Sequence, residues 1–210
     1  MSLQPFENLS NLPLFRAVKL KTAIGGRSWG YDNLIGILSE ISEQAPSGAL
    51  SFLADVLYEA QSRRETVAWV AGMESVFYPP DLSERGIDLS ALTVIRTGVQ
   101  MESLTAAEWL IRSGAIGLVV VDVEGQWNIN DAALGRIQKV AERNLCAVVF
   151  LTRKGAQDPS LGSRISLRGC ITRSGAAPFV ITINTIKDKR SNSRFRQSRQ
   201  YYGPSGMYLR

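Results

Sequence analysis

The stretch GILSEISEQAPSGALSFLADVLYEAQ, residues 36–61, runs from a short apolar segment through a turn into a helical pattern. Residues 36–41 are predicted to form a buried strand, because their apolar side chains form a short run bounded by turn residues. Leu50, Leu53 and Leu57 recur at helical spacing, and Ser47 is a suitable N-cap for the helix. A strand, a turn and a helix in this order form the framework of a phosphate-binding loop.

The residues that a phosphate-binding loop needs are missing from this turn. Such a loop uses glycines for close backbone approach, a lysine that reaches the β- and γ-phosphates, and a hydroxyl that binds Mg²⁺. Here the Gly-Lys-Thr triplet is replaced by Gly48-Ala49-Leu50, and Glu43 replaces the first glycine. Alanine and leucine offer neither a cation nor a hydroxyl, and Glu43 is expected to repel an anion. We therefore expect a nucleotide-binding framework with no catalysis and no cofactor.

The composition excludes several classes of catalytic and metal site. The 210 residues include no histidine and two cysteines. This rules out Ser-His-Asp and Cys-His mechanisms, histidine metal ligands and a Cys-rich zinc site within one chain. No paired-carboxylate arrangement stands out, and we expect no metal site. Cys146 and Cys170 are expected to be free thiols that pack as small core residues.

Apolar runs and helical patterns alternate along most of the chain. Short apolar runs predict strands at 66–70, 92–96, 117–122 and 147–152, with helices between them. Strands that alternate with helices favour a parallel sheet covered on both faces. After about residue 163, three strand-like segments follow without a helix, and they predict antiparallel strands at one edge. The predicted class is α/β, with a mostly parallel central sheet flanked by helices.

The length suits one substantial α/β core rather than two full domains. We divide the chain into an N-terminal extension, residues 1–22, and a single domain, residues 23–210. No apolar run approaches the roughly 20 residues that cross a bilayer, and the N-terminal segment lacks the apolar core of a signal peptide. The expected location is the cytoplasm, without membrane contact.

The positive charge is concentrated near the end of the chain. Residues 187–199, KDKRSNSRFRQSR, hold six basic residues and one Asp, a local charge of +5 that equals the formal charge of the whole chain. Such a segment suits a phosphate backbone or an acidic protein surface, although a solvated loop needs similar charge for solubility. An aromatic residue among arginines can stack on bases or pack inward from a strand. The candidate binding residues are Lys187, Lys189, Arg190, Arg194, Phe195, Arg196 and Arg199.

The order of these segments resembles the core of RecA, and more specifically the RecA-related ImuA group with its SulA-like relatives. The resemblance is carried by IGGRSWGYDNLIGILSEIS, SGALSFLADVLYEAQSRRETVAWVAG, ERGIDLSALTVIRT, AAEWLIRSGAIGLVVVDVEG and AVVFLTRKG. The closing segments ISLRGCITR, TINTIKDKR and QYYGPSGMY resemble the last hairpins of that core. These segments span about residues 23–208 in consistent order, and they imply a RecA-like fold.

The resemblance also indicates which positions of a nucleotide site are changed. The Walker A lysine and threonine fall on Ala49 and Leu50, and the Walker B aspartate falls on Asp122 and is retained. The degenerate site implied in this way is expected to be inactive. Its residues are Glu43, Ser47, Gly48, Ala49, Leu50 and Asp122.

Other family positions fall on unsuitable or uncertain residues. The carboxylate that activates water falls near Met73 or Glu74. The glutamine that senses the γ-phosphate falls near Thr152 or Arg153 and is therefore absent. The second DNA-binding loop corresponds to residues 154–163 and is much shorter. The resemblance thus implies a RecA-like protein that does not hydrolyse ATP.

Two functions follow from the resemblance. The first is an ImuA-like accessory protein of the bacterial DNA-damage response, active in SOS mutagenesis and translesion synthesis. Its implied partners are RecA, an ImuB-like Y-family polymerase homologue, and DNA through residues 187–199. The alternative is a SulA-like cell-division inhibitor that binds FtsZ, and the basic segment favours the first, because FtsZ binding gives no reason for arginines interleaved with an aromatic. A third, weaker option is a nucleotide-binding regulator with an aberrant loop.

Overall fold

The structure, a computed structural model, describes residues 27–44, 48–73, 75, 77–123, 125, 129–176, 178–191 and 194–202. The predicted extension, residues 1–22, lies outside this part of the chain. The strands are β1 Leu38–Ser42, β2 Val67–Ala71, β3 Leu92–Arg96, β4 Leu118–Val123, β5 Ala147–Thr152, β6 Leu167–Ser174, β7 Phe179–Asp188 and β8 Arg196–Tyr201. The helices are α1 Ala49–Ser62, α2 Pro80–Ser83, α3 Gln100–Arg112 and α4 Asp131–Asn144. Short 3-10 turns at Tyr31–Asn33 and Leu89–Ala91 precede β1 and β3.

The strands form one sheet in the order β3-β2-β4-β5-β1-β6-β7-β8. β2, β4, β5 and β1 are adjacent and parallel, as predicted, and β3 adds a parallel strand at one edge. Every residue of β4 and β5 is buried, because both faces of these strands are covered. The predicted α/β class with a mostly parallel sheet is confirmed.

The C-terminal strands extend the other edge of the sheet, as predicted, but the first of them runs parallel to its inner neighbour. β6 pairs in parallel with β1, whereas β7 is antiparallel to both β6 and β8. The crossover formed by residues 153–166 explains this difference. It returns the chain from the end of β5 to the start of β6, and a parallel connection needs about a dozen residues or more.

Helices cover both faces of the central strands. On one face, Phe52 and Leu57 of α1 share a core cluster with Val120 of β4. On the other face, Ile111 of α3 shares a second cluster with Val119. Adjacent residues of a strand point to opposite faces, so one apolar strand serves both clusters. No helix in the described part has the length and apolar character needed to cross a membrane.

The helix starts follow local capping chemistry. α4 begins after Asn130, whose Oδ1 accepts a hydrogen bond from the N–H of Ala133 at 2.7 Å. The N-cap of α1 is Gly48, with a φ of 98°. The prediction of Ser47 as the N-cap is therefore wrong, and Ser47 itself lies outside the described residues. Glycine suits the cap because it adopts positive φ without strain, and a Cβ there would lie 2.5 Å from Cδ1 of Ile181.

The predicted nucleotide site and the basic segment lie at opposite ends of the central strands. At the carboxyl ends, Ser42 is paired with Thr152, which is also paired with Val123. At the other end, Leu167 is paired with both Ser39 and Asp188. The turn between β7 and β8 therefore begins beside the amino ends of β1 and β6.

Candidate functional site

Three charged side chains meet at the carboxyl ends of β1, β4 and β5. Glu43 directly follows β1, Asp122 lies one residue before the end of β4, and Arg153 directly follows β5. Nη1 of Arg153 pairs with Oε1 of Glu43, and Nη2 lies 3.8 Å from Oδ1 of Asp122. One cation therefore lies between two carboxylates, at the edge where open parallel sheets bind their ligands.

The Glu43 carboxylate lies at the amino end of α1. Its side chain is 3% exposed, and its Oε2 accepts a hydrogen bond from the N–H of Ala49 at 3.1 Å. The first N–H groups of a helix lack partners within the helix, and the helix dipole favours negative charge there. In a phosphate-binding loop, a phosphate takes this position. Glu43 thus does more than repel an anion, because its own carboxylate binds to the helix end.

Asp122 is completely buried. Its Oδ2 accepts a hydrogen bond from Oγ of Ser75 at 2.6 Å, and its Oδ1 has no hydrogen-bond partner in the part of the chain that the structure describes. Burial raises the pKa of Asp122 above its usual value, while the Ser75 hydrogen bond and the charge of Arg153 act in the opposite direction. The aspartate that resembles the Walker B residue therefore contacts groups of the chain itself.

Among the described residues, the other predicted positions of the nucleotide site supply no charge to this cluster. Ala49 is completely buried, and Leu50 packs against the core on the α1 side. Met73, one candidate for the water-activating position, is 73% exposed. The other candidate, Glu74, lies outside the described residues, as does Ser47. The cation of the cluster comes instead from the end of β5.

Sequence reasoning missed the pairing of Glu43 with Arg153. The two residues are 110 positions apart and meet because β1 and β5 are neighbours in the sheet. A signal was present, since an acidic residue directly follows one predicted strand and a basic residue directly follows another. That signal has meaning only once the strand order is known, and the sequence does not reveal the order.

A third buried carboxylate, Glu40, holds the 153–166 crossover against β1. Its Oε1 lies 2.8 Å from Nζ of Lys154, and its Oε2 accepts a hydrogen bond from the N–H of Leu161 at 2.9 Å. Arg168 on β6 lies 3.7 Å from Oε1 of Glu40 and donates hydrogen bonds to two carbonyls of the crossover. The segment that resembles the second DNA-binding loop is therefore tied to the sheet by buried polar contacts.

The described residues contain no candidate metal site, and their two cysteine thiols are poorly suited to act as nucleophiles. They contain no group of three or more His, Cys, Asp or Glu side chains that could hold a metal ion. Cys146 and Cys170 are buried and free, as expected. Burial raises the pKa of the Cys146 thiol to about 12, and a thiol that stays protonated is a poor nucleophile.

The basic segment forms the β7–β8 turn and the adjoining strand ends. Arg194 in the turn and Arg196 at the start of β8 are both exposed. Lys187 near the end of β7 is half-buried, and burial lowers its pKa. Phe195 is half-buried and packs against the core on the α1 side. Of the two roles that the sequence allows for this aromatic residue, the structure shows inward packing.

Two other basic residues fasten the turn to the rest of the fold. Nζ of Lys189 donates a hydrogen bond to the carbonyl of Ser163 in the crossover. Arg190 donates to the carbonyl of Asn33 at 2.6 Å and lies 3.5 Å from the carboxylate of Asp188. These side chains join the turn to two neighbouring segments. Their positive charges therefore interact with carbonyl and carboxylate groups of the molecule itself.

Arg199 is an internal side chain rather than an exposed one. It is 15% exposed, and its guanidinium pairs with Asp55 at 2.8 Å and with Glu59 at 3.1 Å. Both carboxylates belong to α1. The charge of this candidate binding residue is therefore paired within the fold, because alternate residues of β8 face the helix.

Comparisons with known proteins agree with this architecture. No protein-family model matches the chain. RecA of Chlorobium limicola is 28% identical over 162 residues, which cover 73% of this chain and 40% of that protein. RecA of Fusobacterium nucleatum is 32% identical over 87 residues, which cover 41% of this chain and 23% of that protein. The chain is related to RecA.

The relationship is partial in length. RecA of Chlorobium chlorochromatii is 28% identical over 125 residues, 54% of this chain and 35% of that protein. The chain thus spans 40% or less of the length of each of these three curated RecA proteins. The mostly parallel sheet with antiparallel strands at its C-terminal edge is consistent with a RecA-like fold.

Proposed function

We propose that this RecA-related chain is a non-catalytic, cytoplasmic accessory protein of the bacterial DNA-damage response, with an ImuA-like role in SOS mutagenesis and translesion synthesis. The supporting observation is the hydrogen bond from the N–H of Ala49 to the Glu43 carboxylate, where a phosphate-binding loop holds a phosphate. Ala49 and Leu50 also lack the cation and the Mg²⁺-binding hydroxyl of such a loop. A RecA-like framework of this kind acts through contacts rather than through ATP turnover.

Two features support the kind of contact. The resemblance to ImuA implies RecA, an ImuB-like Y-family polymerase homologue, or both as partners. Arg194 and Arg196 add exposed positive charge at the β7–β8 turn, which suits DNA phosphates or an acidic protein surface. This turn lies away from Glu43, so a partner bound there does not need the carboxyl ends of the strands.

Isothermal titration calorimetry with ATP and Mg²⁺ tests the proposal that the chain binds no nucleotide. We expect no measurable binding by the wild-type chain, and low-micromolar affinity would overturn the proposal. The double variant Ala49→Lys/Leu50→Thr should still bind poorly, because Glu43 keeps its place at the helix end. The triple variant that adds Glu43→Gly restores the Gly-x-x-x-x-Gly-Lys-Thr pattern and should bind ATP better than the double variant.

A pull-down experiment tests the partner class. The tagged chain is offered RecA, the Y-family polymerase homologue of the same bacterium, and FtsZ, each purified. Capture of RecA or the polymerase homologue supports the accessory role. Capture of FtsZ alone would move the assignment to a SulA-like division inhibitor.

A further inference from the structure

We propose that the amino end of α1 and the guanidinium of Arg153 form an oxyanion site whose permanent ligand is the carboxylate of Glu43. Removal of that carboxylate should open the site to inorganic phosphate or sulfate. The inference deepens the proposed nucleotide-free function, on which it rests, because it states what excludes phosphate from this position.

The amino end of α1 has the geometry of an anion site. Gly48 precedes the 14-residue helix with a φ of 98°, a left-handed conformation that glycine adopts at no steric cost. The N–H of Ala49 then donates to Oε2 of Glu43 at 3.1 Å, and this hydrogen bond is buried. The positive end of the helix dipole acts on the same carboxylate. The helix end therefore binds a negative group that the chain itself supplies.

Arg153 supplies the positive charge of the site. Its Nη1 pairs with Oε1 of Glu43, and its Nη2 lies 3.8 Å from Oδ1 of Asp122. Asp122 is completely buried, and among the described residues this oxygen has no hydrogen-bond partner. A planar guanidinium binds carboxylates and phosphates with the same donor geometry. The donors that hold Glu43 thus suit a phosphate equally well.

The bound carboxylate also joins two segments. Glu43 lies between β1 and α1, and Arg153 is the first residue of the 153–166 crossover. Here an internal ion pair makes the connection, so the arrangement of the crossover does not depend on a nucleotide.

Three variants separate the possible roles of Glu43. Glu43→Ala removes the carboxylate and leaves a space at the helix end. Glu43→Gln fills the space with a neutral group of the same size. Glu43→Ala/Arg153→Ala leaves a larger space without the cation. Each is unfolded by heat in chloride and in phosphate at the same ionic strength, and phosphate binding is measured by titration.

We expect phosphate to raise the melting temperature of Glu43→Ala but not that of the wild-type chain or Glu43→Gln. At about ten times its dissociation constant, phosphate should increase the folded-to-unfolded ratio of Glu43→Ala about elevenfold. The double variant should bind phosphate at least about tenfold more weakly, because a charge-assisted contact is lost. An equal effect of phosphate on the wild-type chain and on Glu43→Ala, or no effect on folded Glu43→Ala, would overturn the inference.

A second measurement applies if Glu43→Ala does not fold. The amide proton of Ala49 is observed by NMR in the wild-type chain and in Glu43→Gln, where a weaker neutral acceptor should shift it upfield. An unchanged resonance would count against a carboxylate ligand. ATP binding by the wild-type chain would overturn the proposed function, whereas failure of phosphate rescue in Glu43→Ala affects this inference alone.

Discussion

Arg199 of β8 donates a hydrogen bond to Oδ2 of Asp55 on α1 at 2.8 Å, across 144 positions of sequence. The hydroxyl of Tyr201 donates to the same oxygen at 2.6 Å. The guanidinium of Arg199 also lies 5.1 Å from the centroid of the Phe52 ring. These contacts hold β8 against α1, so the charge of Arg199 stabilises the fold.

Replacement of Arg199 by Ala should lower the free energy of unfolding by about 2–4 kcal/mol, because Asp55 and Glu59 keep their charges after losing the cation between them. Urea unfolding followed by circular dichroism measures the change. Arg194→Ala is the matched control, and an exposed arginine should cost less than about 0.5 kcal/mol. Equal effects of the two substitutions would show that the Arg199–Asp55 pair contributes nothing to stability.

Asp122→Asn should make the protein more stable at neutral pH. Burial raises the folded-state pKa of Asp122, so the fold favours the protonated form. The stability that protonation of Asp122 contributes is lost as pH rises through the raised pKa. Asparagine carries no charge and keeps an acceptor for Ser75. The advantage of the variant should therefore shrink as pH falls from about 7 to about 4, near the ordinary pKa of an aspartate. Urea unfolding at several pH values measures it.

Asp131→Asn is a control for which the expected change in stability at neutral pH has the opposite sign. The hydrogen bond from Ser163 and the interaction with Arg164 lower the pKa of Asp131, so the fold favours its charged form. Its stabilising contribution is present above the usual aspartate pKa and is lost as pH falls through the lowered value. The variant should be less stable than the wild-type chain at neutral pH. A D122N variant that behaved like D131N would contradict the assignment for Asp122.

Glu40→Ala should loosen the 153–166 crossover. Glu40 is completely buried and lies close to Lys154 and Arg168, so its loss leaves cations without their counter-ion at a cost of about 3–5 kcal/mol. Limited proteolysis should then cleave within the crossover before the protein unfolds globally. Glu142→Ala, an exposed substitution on α4, is the control. Cleavage of both variants at the same rate would contradict the prediction.

The sequence was sufficient to predict the strands of the central sheet. Residues 117–122 and 147–152 were predicted as strands, and β4 and β5 coincide with them within one residue, because a continuous apolar run needs cover on both faces. The direction of β6 was not predictable in the same way. It depends on the path of the crossover, which carries no strand periodicity of its own.

The candidate site was predictable only in part. The absence of a lysine and a hydroxyl at Ala49 and Leu50 is visible in the sequence alone. The position of the Glu43 carboxylate is not, because it depends on the turn at Gly48 and on the neighbour that β5 provides. Arg199 shows the same limit, since nothing in residues 187–199 reveals that one arginine faces α1.

Arg194→Ala/Arg196→Ala tests whether the β7–β8 turn binds nucleic acid. Both side chains are exposed, so the double variant should keep its stability within about 0.5 kcal/mol. If both contact phosphates, DNA affinity should fall and the slope of log affinity against log salt should flatten. The expected change is about 1.8 on duplex DNA, at about 0.9 per phosphate, or about 1.4 on single strands. Fluorescence anisotropy with labelled oligonucleotides over a range of salt concentrations measures both quantities.

Arg199→Ala is the control that separates binding from folding in this experiment. At a temperature where Arg199→Ala stays folded, it should retain the wild-type salt slope, because its guanidinium faces Asp55 rather than solvent. If the turn docks on an acidic protein instead, Arg194→Ala/Arg196→Ala should lose the partner in a pull-down while the wild-type chain shows no DNA binding. If the double variant behaved like the wild-type chain in both assays, the exposed arginines would contribute only to solubility.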